Sequence, residues 1–284
     1  MPGILYVVAT PIGNLEDVTL RALRILREVD LIAAEDTRRT TRLLQHYSIT
    51  TPTTSLHQHN EHRRTPAIIA RLKAGESVAL VTDAGTPVVS DPGADLVAAA
   101  HADHIKVEPI PGPTALTAAL SASGFRADQF VFAGFPPQRS SARKRWLAAL
   151  TDEPRTLIFY EAPHRIQQTL ADMLEVFGDR RALLARELTK LHEELVVNPI
   201  SMHLAGVAVA GPRGEYTIVL SGAEAGQEDP KEVPGEEQLA REFWQLTESG
   251  CIERRAAIRE LSKKYALPAK QIYSAVHRRP IPTD

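Results

Sequence analysis

The chain is predicted to fold as two α/β domains followed by a small helical module, and three features of its sequence predict this. Short apolar runs alternate with amphipathic stretches from residue 4 to 221, loops of small residues follow several runs, and the composition changes abruptly after residue 221. At 284 residues the chain is long enough for two domains of ordinary size, each with its own core. Its 43% hydrophobic and 24% charged content is that of a soluble globular protein.

The elements follow in order. "ILYVVA" (4–9) reads as a buried strand, and "LRALRILREV" (20–29) spaces Leu and Ile for a helix. "LIAA" (31–34) is a second strand, followed by helical "RRTTRLLQHY" and "PAIIARLKAG". "SVALV" (77–81), helical "ADLVAAAHA" and "IKVEPI" complete a first domain over residues 1–116. Strands alternating with helices imply a mostly parallel sheet covered on both faces. "FVFAGF" (130–135), "TLIFY" (156–160), "IQQTLADMLEVF", "ALLARE" (182–187), "EELVV" and "EYTIVLS" (215–221) form a second α/β domain over 117–222, with a mixed sheet. Residues 223–238 belong to a stretch with six acids against one lysine and read as a linker. The tail, 239–284, carries two amphipathic helices joined near Leu267-Pro268, with nine Lys/Arg against four Glu between Arg241 and Arg279.

The net charge of −2 excludes a molecule that is basic overall, so any nucleic-acid surface is local. The single cysteine, Cys251, excludes an intramolecular disulfide. No apolar run approaches the ~20 residues of a membrane helix, and the start lacks the features of a signal peptide. A cytoplasmic location without membrane contact is expected.

Three loops follow successive strands: "TPIGN" (10–14), "TDAGTPVVSDPG" (82–93) and "PIPGPTA" (109–115). Small residues there let backbone approach a ligand, and carboxylates at strand ends accept from hydroxyls or an ammonium. The implied ligand is small, rich in donors and positively charged. A nucleoside triphosphate fits badly, because no GxxxxGK[ST] loop is present and Asp83 and Asp91 repel phosphate.

With "AEDTRRT", "FYEAPHR" and "ARELTKLHEE" in the same order, these loops give the chain a resemblance to the ribosomal RNA small subunit methyltransferase I family, a bacterial branch of the tetrapyrrole-methylase superfamily. The resemblance covers roughly residues 4 to 221, and the tail is also similar. It implies two α/β domains of tetrapyrrole-methylase type with a cleft between them that binds S-adenosylmethionine, in a homodimer. It places cofactor contacts on Pro11, Asp83, Ala84, Gly85, Thr86, Thr114, Ala115, Tyr160 and Glu161. The implied reaction is methyl transfer to the ribose 2′-hydroxyl of a decoding-site cytidine (rRNA nucleotide 1402) of the small subunit. An enzyme of modest charge without an aromatic-rich sheet is expected to read the assembled subunit by shape.

Each candidate also has a bland reading. Glu187 and Lys190 are candidates for handling the 2′-hydroxyl proton, Lys190 through a pKa lowered in a cleft, or for steadying the ribose, or else belong to an inter-domain salt-bridge network with Glu161, His164, Arg165 and Glu194. Asp36, a third catalytic candidate, and Arg38 lie on the acceptor side, or cap a helix. Asn14 contacts the acceptor or supports its turn. His57, His59 and His62 in "HQHNEH" suggest a metal, but no cysteine supports them, and His59 is read as an acceptor-side contact with no metal expected. Arg139, Arg143 and Lys144 of "QRSSARKRW" form a solvated helix face capped by Ser140 or Ser141, or contact phosphate. The RNA-facing set is completed by Arg165 and, in the tail, Arg254 and Arg255; that tail reads nucleic acid or packs in the dimer. Pro136 departs from the family's "GFLP", and "VVNPISMHL" lacks the expected glycine-and-basic turn. Two other functions compete: a small-molecule methyltransferase acting on a corrin precursor, and a non-catalytic ribosome-assembly factor. The basic tail argues against the first, and the intact set of loops against the second.

Overall fold

The computed structural model describes residues 2–223, 236–248, 252–265 and 267–277, divided between two compact units with their boundary after Ala223. The first unit opens with β1 (Ile4–Val8). Thr19 then accepts from the Ala22 N–H (3.1 Å) and starts α1 (Leu20–Glu28), which buries Ala22, Leu23, Ile25 and Leu26 at helical spacing. β2 (Leu31–Ala34), α2 (Thr37–His46), β3 (Thr53–Ser55), α3 (Glu61–Lys73), β4 (Val78–Val81), α4 (Ala94–Ala102) and β5 (Lys106–Ile110) follow. The strands form one sheet in the order β3-β2-β4-β1-β5, parallel throughout.

Alternation along the strands divides the core. Val8, Ile32, Ala34, Ala79 and Val81 pack with the α1 residues Ile25 and Leu26 on one face. Leu5, Leu31, Ala33, Val78 and Leu80 pack with Leu72 of α3 and Leu96 of α4 on the other. With both faces covered, β2 and β4 are apolar and buried at every position. Each fully buried Leu or Ile stabilises the fold by about 1.5–3 kcal/mol.

α5 (Ala115–Ala122) leads into a second sheet by packing Ala119 and Leu120 against Ile158, Leu183 and Val219. That sheet is built from β6 (Phe130–Gly134), β7 (Thr156–Glu161), β8 (Arg181–Arg186), β9 (Glu194–Pro199) and β10 (Tyr216–Leu220) in the order β6-β7-β10-β8-β9. Only the β6–β7 pairing is parallel, so the sheet is mixed, as expected. α6 (Ser140–Ala148), α7 (Ile166–Phe177) and α8 (Ile200–Ala210) accompany it.

Among the described residues the second unit holds three helices, α9 (Glu236–Glu248), α10 (Arg254–Tyr265) and α11 (Ala269–His277), around Phe243, Ala257, Leu261, Ile272 and Val276. Two helices were expected; α9 is the addition, and it begins inside the stretch read as linker. The rest of that stretch beyond Ala223, and Cys251, lie outside the described residues. Among the described residues no helix is long and apolar enough to cross a membrane.

Candidate active site

The three small-residue loops follow β1, β4 and β5, which lie side by side in the first sheet, so the loops converge at its carboxyl edge. Thr10 and Gly85 tie the first two together by exchanging backbone hydrogen bonds (2.9 and 3.0 Å), and Gly85 turns there with φ +85°. Val88 and Ser90 in the second loop also have positive φ (75° and 65°). For a β-branched residue such as Val88 this is strain, and strain held in place gathers at functional sites. Residues of the second sheet close the other side. The Asn14 N–H donates to Thr189 Oγ1 (2.9 Å), and a Cβ on Gly13 would lie 2.5 Å from Lys190 Cγ. Only glycine permits that approach.

Between these loops and the ends of β7 and β10 lies a cavity of about 460 Å³. The first sheet supplies Glu35, Asp83–Thr86 and Asp91, and α5 supplies Thr114 and Ala115; Tyr160, Glu161 and Glu215–Thr217 come from β7 and the start of β10. Its electrostatics are acidic. Burial raises the carboxyls of Glu35 and Asp83, and the charges of neighbouring carboxylates add to this. Asp91 is pushed up to about 7, first by burial and then by the charge of Glu35. Asp83 is fixed in place: its Oδ1 accepts from the Asp36 N–H (3.0 Å) and its Oδ2 lies 3.3 Å from Arg39. A cavity walled by three carboxylates of raised pKa suits a cationic ligand with several donors.

Eight of the nine residues named for the cofactor line this cavity: Asp83, Ala84, Gly85, Thr86, Thr114, Ala115, Tyr160 and Glu161. Pro11 instead lines a smaller neighbouring cavity with Arg39, Arg42 and Leu43. The Tyr160 hydroxyl accepts from the Leu116 N–H (3.1 Å), and its ring packs edge-on against Phe132 and Phe135. Glu161 is buried, its oxygens satisfied by Thr169 Oγ1 (2.5 Å) and the Ala162 N–H (2.8 Å).

The residues named for proton handling behave differently. Lys190 Nζ donates to Glu187 (2.8 Å) and Glu215 (3.1 Å). Burial works against its charge, yet these bonds raise the Lys190 pKa, and the Lys190 bond lowers that of Glu187. The lowered lysine pKa expected from the sequence is therefore wrong in sign, and this pair is an ion-pair lock beside the first loop. Asp36 caps α2, accepting from the Arg38 N–H (2.9 Å), and the Arg38 side chain holds its carboxyl well below the usual range. It is a poor proton acceptor.

On the RNA side, Arg143 is corrected outright. It is fully buried, donates from Nε to Asp172 Oδ2 (2.7 Å) and from Nη1 to the carbonyls of Pro137 (3.2 Å) and Gln138 (3.1 Å), and has no surface to offer. Ser140 also bonds Asp172 (3.0 Å) instead of capping α6, whose cap position is Arg139. Lys144 pairs with Glu175 (2.5 Å), and Arg165 donates to the Pro136 carbonyl and lies 3.3 Å from Glu161. Arg38, His59, Arg139 and Arg255 are exposed, Asn14 caps a 3-10 turn at Leu15–Asp17, and Arg254 stacks on Trp244 (5.5 Å). In "HNE", Glu61 accepts from the N–H groups of Gly93, Asp95 and Leu96, so it holds the end of the second loop. His57 and His59 stack 6.0 Å apart; among the described residues no cluster of three metal-ligating side chains occurs.

Residues 4–202 match the family model for Tetrapyrrole (Corrin/Porphyrin) Methylases. A Synechocystis protein named ribosomal RNA small subunit methyltransferase I is 48% identical over 274 residues, covering 95% of this chain and 96% of the relative. A Thermotoga maritima protein of the same name is 49% identical over 222 residues, covering 78% of this chain and all of the relative. The chain belongs to the ribosomal RNA small subunit methyltransferase I family of tetrapyrrole methylases. Its fold agrees: a uroporphyrin-III C-methyltransferase from Thermus thermophilus, complexed with S-adenosylhomocysteine, superposes with a TM-score of 0.56 at 19% identity, covering 78% of this chain and 98% of that one. Within this family member, sequence reasoning placed Asp91 in the ligand loop without naming it as a contact, and left Glu35 and the β10 residues out of the site. Asp91 and Glu35 were signalled by their places at strand and loop ends; the β10 residues carried no signal, because only the sheet order brings them to the cavity.

Proposed function

We propose that the chain is an S-adenosylmethionine-dependent methyltransferase of bacterial small-subunit rRNA that methylates the ribose 2′-hydroxyl of the decoding-site cytidine (nucleotide 1402). The observation that carries this is the 48% identity to a relative of that name over 95% of the chain, together with an acidic cavity suited to the cofactor's ammonium and ribose hydroxyls. When bound, S-adenosylmethionine supplies a methyl carbon already activated by its sulfonium. The chain's own residues then have three tasks. Asp83 and Glu35 accept hydrogen bonds from the ligand's donors, the bare backbone at Ala84–Thr86 lets it approach closely, and Tyr160 with Phe135 packs against its flat parts.

The acceptor hydroxyl must lose its proton, and Asp91 is the acceptor best matched to that step. It faces the cavity, and a carboxyl with a pKa near 7 is half-ionised at neutral pH. Glu187 and Lys190 position the first loop.

The division into lobes at residue 116, a cytoplasmic location and a basic tail that contacts RNA belong to the same proposal. So does a homodimer, supported by α8, whose Met202 (56% exposed), Ala205, Gly206 and Val209 (90% exposed) present an uncovered apolar face.

The test is transfer of a labelled methyl group to undermethylated small subunits, with free rRNA and a tetrapyrrole precursor as parallel acceptors. Label on a decoding-site ribose supports the proposal. Label on the tetrapyrrole overturns the substrate, and label on nothing overturns the activity.

A further inference from the structure

A second cavity, of about 150 Å³, adjoins the first. The two share Arg39 and Asp83, so whatever fills the smaller one sits directly beside whatever fills the larger. Its remaining walls are mixed. Pro11 and Leu15 are apolar, and Leu15 is held by its carbonyl accepting from the Tyr47 hydroxyl (2.7 Å), while Thr10, Thr40 and Thr82 add hydroxyls. α2 presents Arg39 and Arg42, one turn apart, with the apolar Leu43 beside Arg42.

The three arginines at this end of α2 are not equivalent. Arg38 is committed to Asp36 through two side-chain bonds (3.0 and 2.7 Å). Arg39 reaches Asp83 with one nitrogen at 3.3 Å and is 61% exposed. Arg42 is exposed and makes no ion pair with any described carboxylate. A guanidinium kept uncompensated beside a carboxylate-walled cavity, with apolar side chains in the same wall, fits a ligand with an anionic group at one end and hydroxyls at the other.

We propose that this cavity seats the acceptor strand, one backbone phosphate lying on Arg42 and Arg39 and the adjoining ribose against Leu15 and Leu43, its hydroxyl edge directed past Asp83 into the larger cavity that Asp91 lines. The inference rests on the reading of the chain as an RNA methyltransferase and adds where the acceptor lies. Asp83, which repels phosphate, sets the polarity of the strand by keeping the anionic group at the Arg42 end. Phosphate contacts of this kind fix register and carry no base information.

The experiment measures equilibrium binding of small subunits to the full chain, with S-adenosylhomocysteine present, across a salt series. Arg42→Gln is compared with wild type and with Arg126→Gln, a control at an arginine 90% exposed in the second half of the unit. Arg42 is exposed, so its loss leaves the fold intact. Arg42→Gln is expected to weaken subunit binding about tenfold and to reduce the slope of log K against log salt by about 0.7–0.9, the loss of one phosphate contact. Binding of S-adenosylhomocysteine stays unchanged, because Arg42 does not line the larger cavity. An Arg42→Gln variant that binds like wild type overturns the proposal, as does an equal loss in Arg126→Gln. Either result, with wild type still methylating the subunit, leaves the proposed activity standing. A wild-type chain that binds no subunit overturns both.

Discussion

Replacing Asp91 by Asn separates the cost of that side chain from its use. The rise of its pKa from 3.8 to about 7 corresponds to at most about 4 kcal/mol of preference for the neutral acid. Solvent reaches part of the group, which lowers this to about 2 kcal/mol. The sign follows from proton binding: between about pH 4 and pH 7 folded Asp91 keeps a proton that the unfolded chain has lost, so its contribution to stability falls as pH rises. Above about pH 7 both states are ionised and the cost is complete. Asparagine has the same shape and no charge. Asp91→Asn is therefore expected to be about 2 kcal/mol more stable than wild type at pH 8, or about 4–8 °C in Tm for a unit of this size, and no more stable at pH 4. Thermal unfolding at both values checks this. The same variant should bind S-adenosylhomocysteine normally and lose at least about a hundredfold in methyl-transfer rate, whereas the wild-type rate climbs through pH 7. A gain that is equal at both pH values refutes the electrostatic argument. Full activity in the variant refutes the role in proton transfer.

Four other outcomes are expected. Asp83→Ala removes a carboxylate from the larger cavity and should weaken S-adenosylhomocysteine binding about 10–100-fold with an unchanged circular dichroism spectrum; calorimetric titration reads this directly. Arg143→Ala removes the buried guanidinium from Asp172, leaving it only the longer approach of Lys144 (3.7 Å), and should cost about 3 kcal/mol in urea unfolding, leaving the salt dependence of RNA binding as it was. Deleting residues 224–284 should leave a cooperatively folding first unit that binds cofactor, while RNA affinity drops and its salt dependence flattens; a change confined to dimer formation would make the tail a packing element. Val209→Glu, at the most exposed apolar position of α8, should shift sedimentation toward the monomer.

The parts of the fold that were legible in the sequence are those in which one residue pattern has one physical solution. "LIAA" and "SVALV" are apolar at every position, which only a strand covered on both faces explains, and both are central in the parallel sheet. The loops after β1, β4 and β5 were legible for the same reason, since glycine and aspartate concentrate where backbone and carboxylate must face a ligand. The basic run after "GFPP" was misread because four cations in nine residues resemble a solvated face. Pro136, Pro137 and Gln138 turn their carbonyls toward Arg165 and Arg143, and Asp172 arrives from α7, 29 residues later in the chain. No local pattern announces such a pairing. β3 escaped because three residues are too few for a period, and α9 because its acidic start continues the composition of the preceding stretch. The raised Lys190 pKa reflects two carboxylates that outweigh burial, Glu187 first and then Glu215, the second a neighbour 25 positions away.

The place of β10 also fixes a timetable. Among the described residues the last strand in the sequence is the middle strand of its sheet, and β7 and β8 are hydrogen-bonded into one sheet only through it. During synthesis the first sheet has all its strands once residue 110 has emerged, but the second remains split until Leu220 arrives. At about 5–20 residues per second that wait lasts on the order of 5 to 20 seconds. Through it β7 and β8 each offer an unpaired edge to other chains, and the cavity lacks Tyr216 and Thr217. A nascent chain stalled before β10 should thus be open to aggregation and blind to cofactor, although its first sheet is already complete.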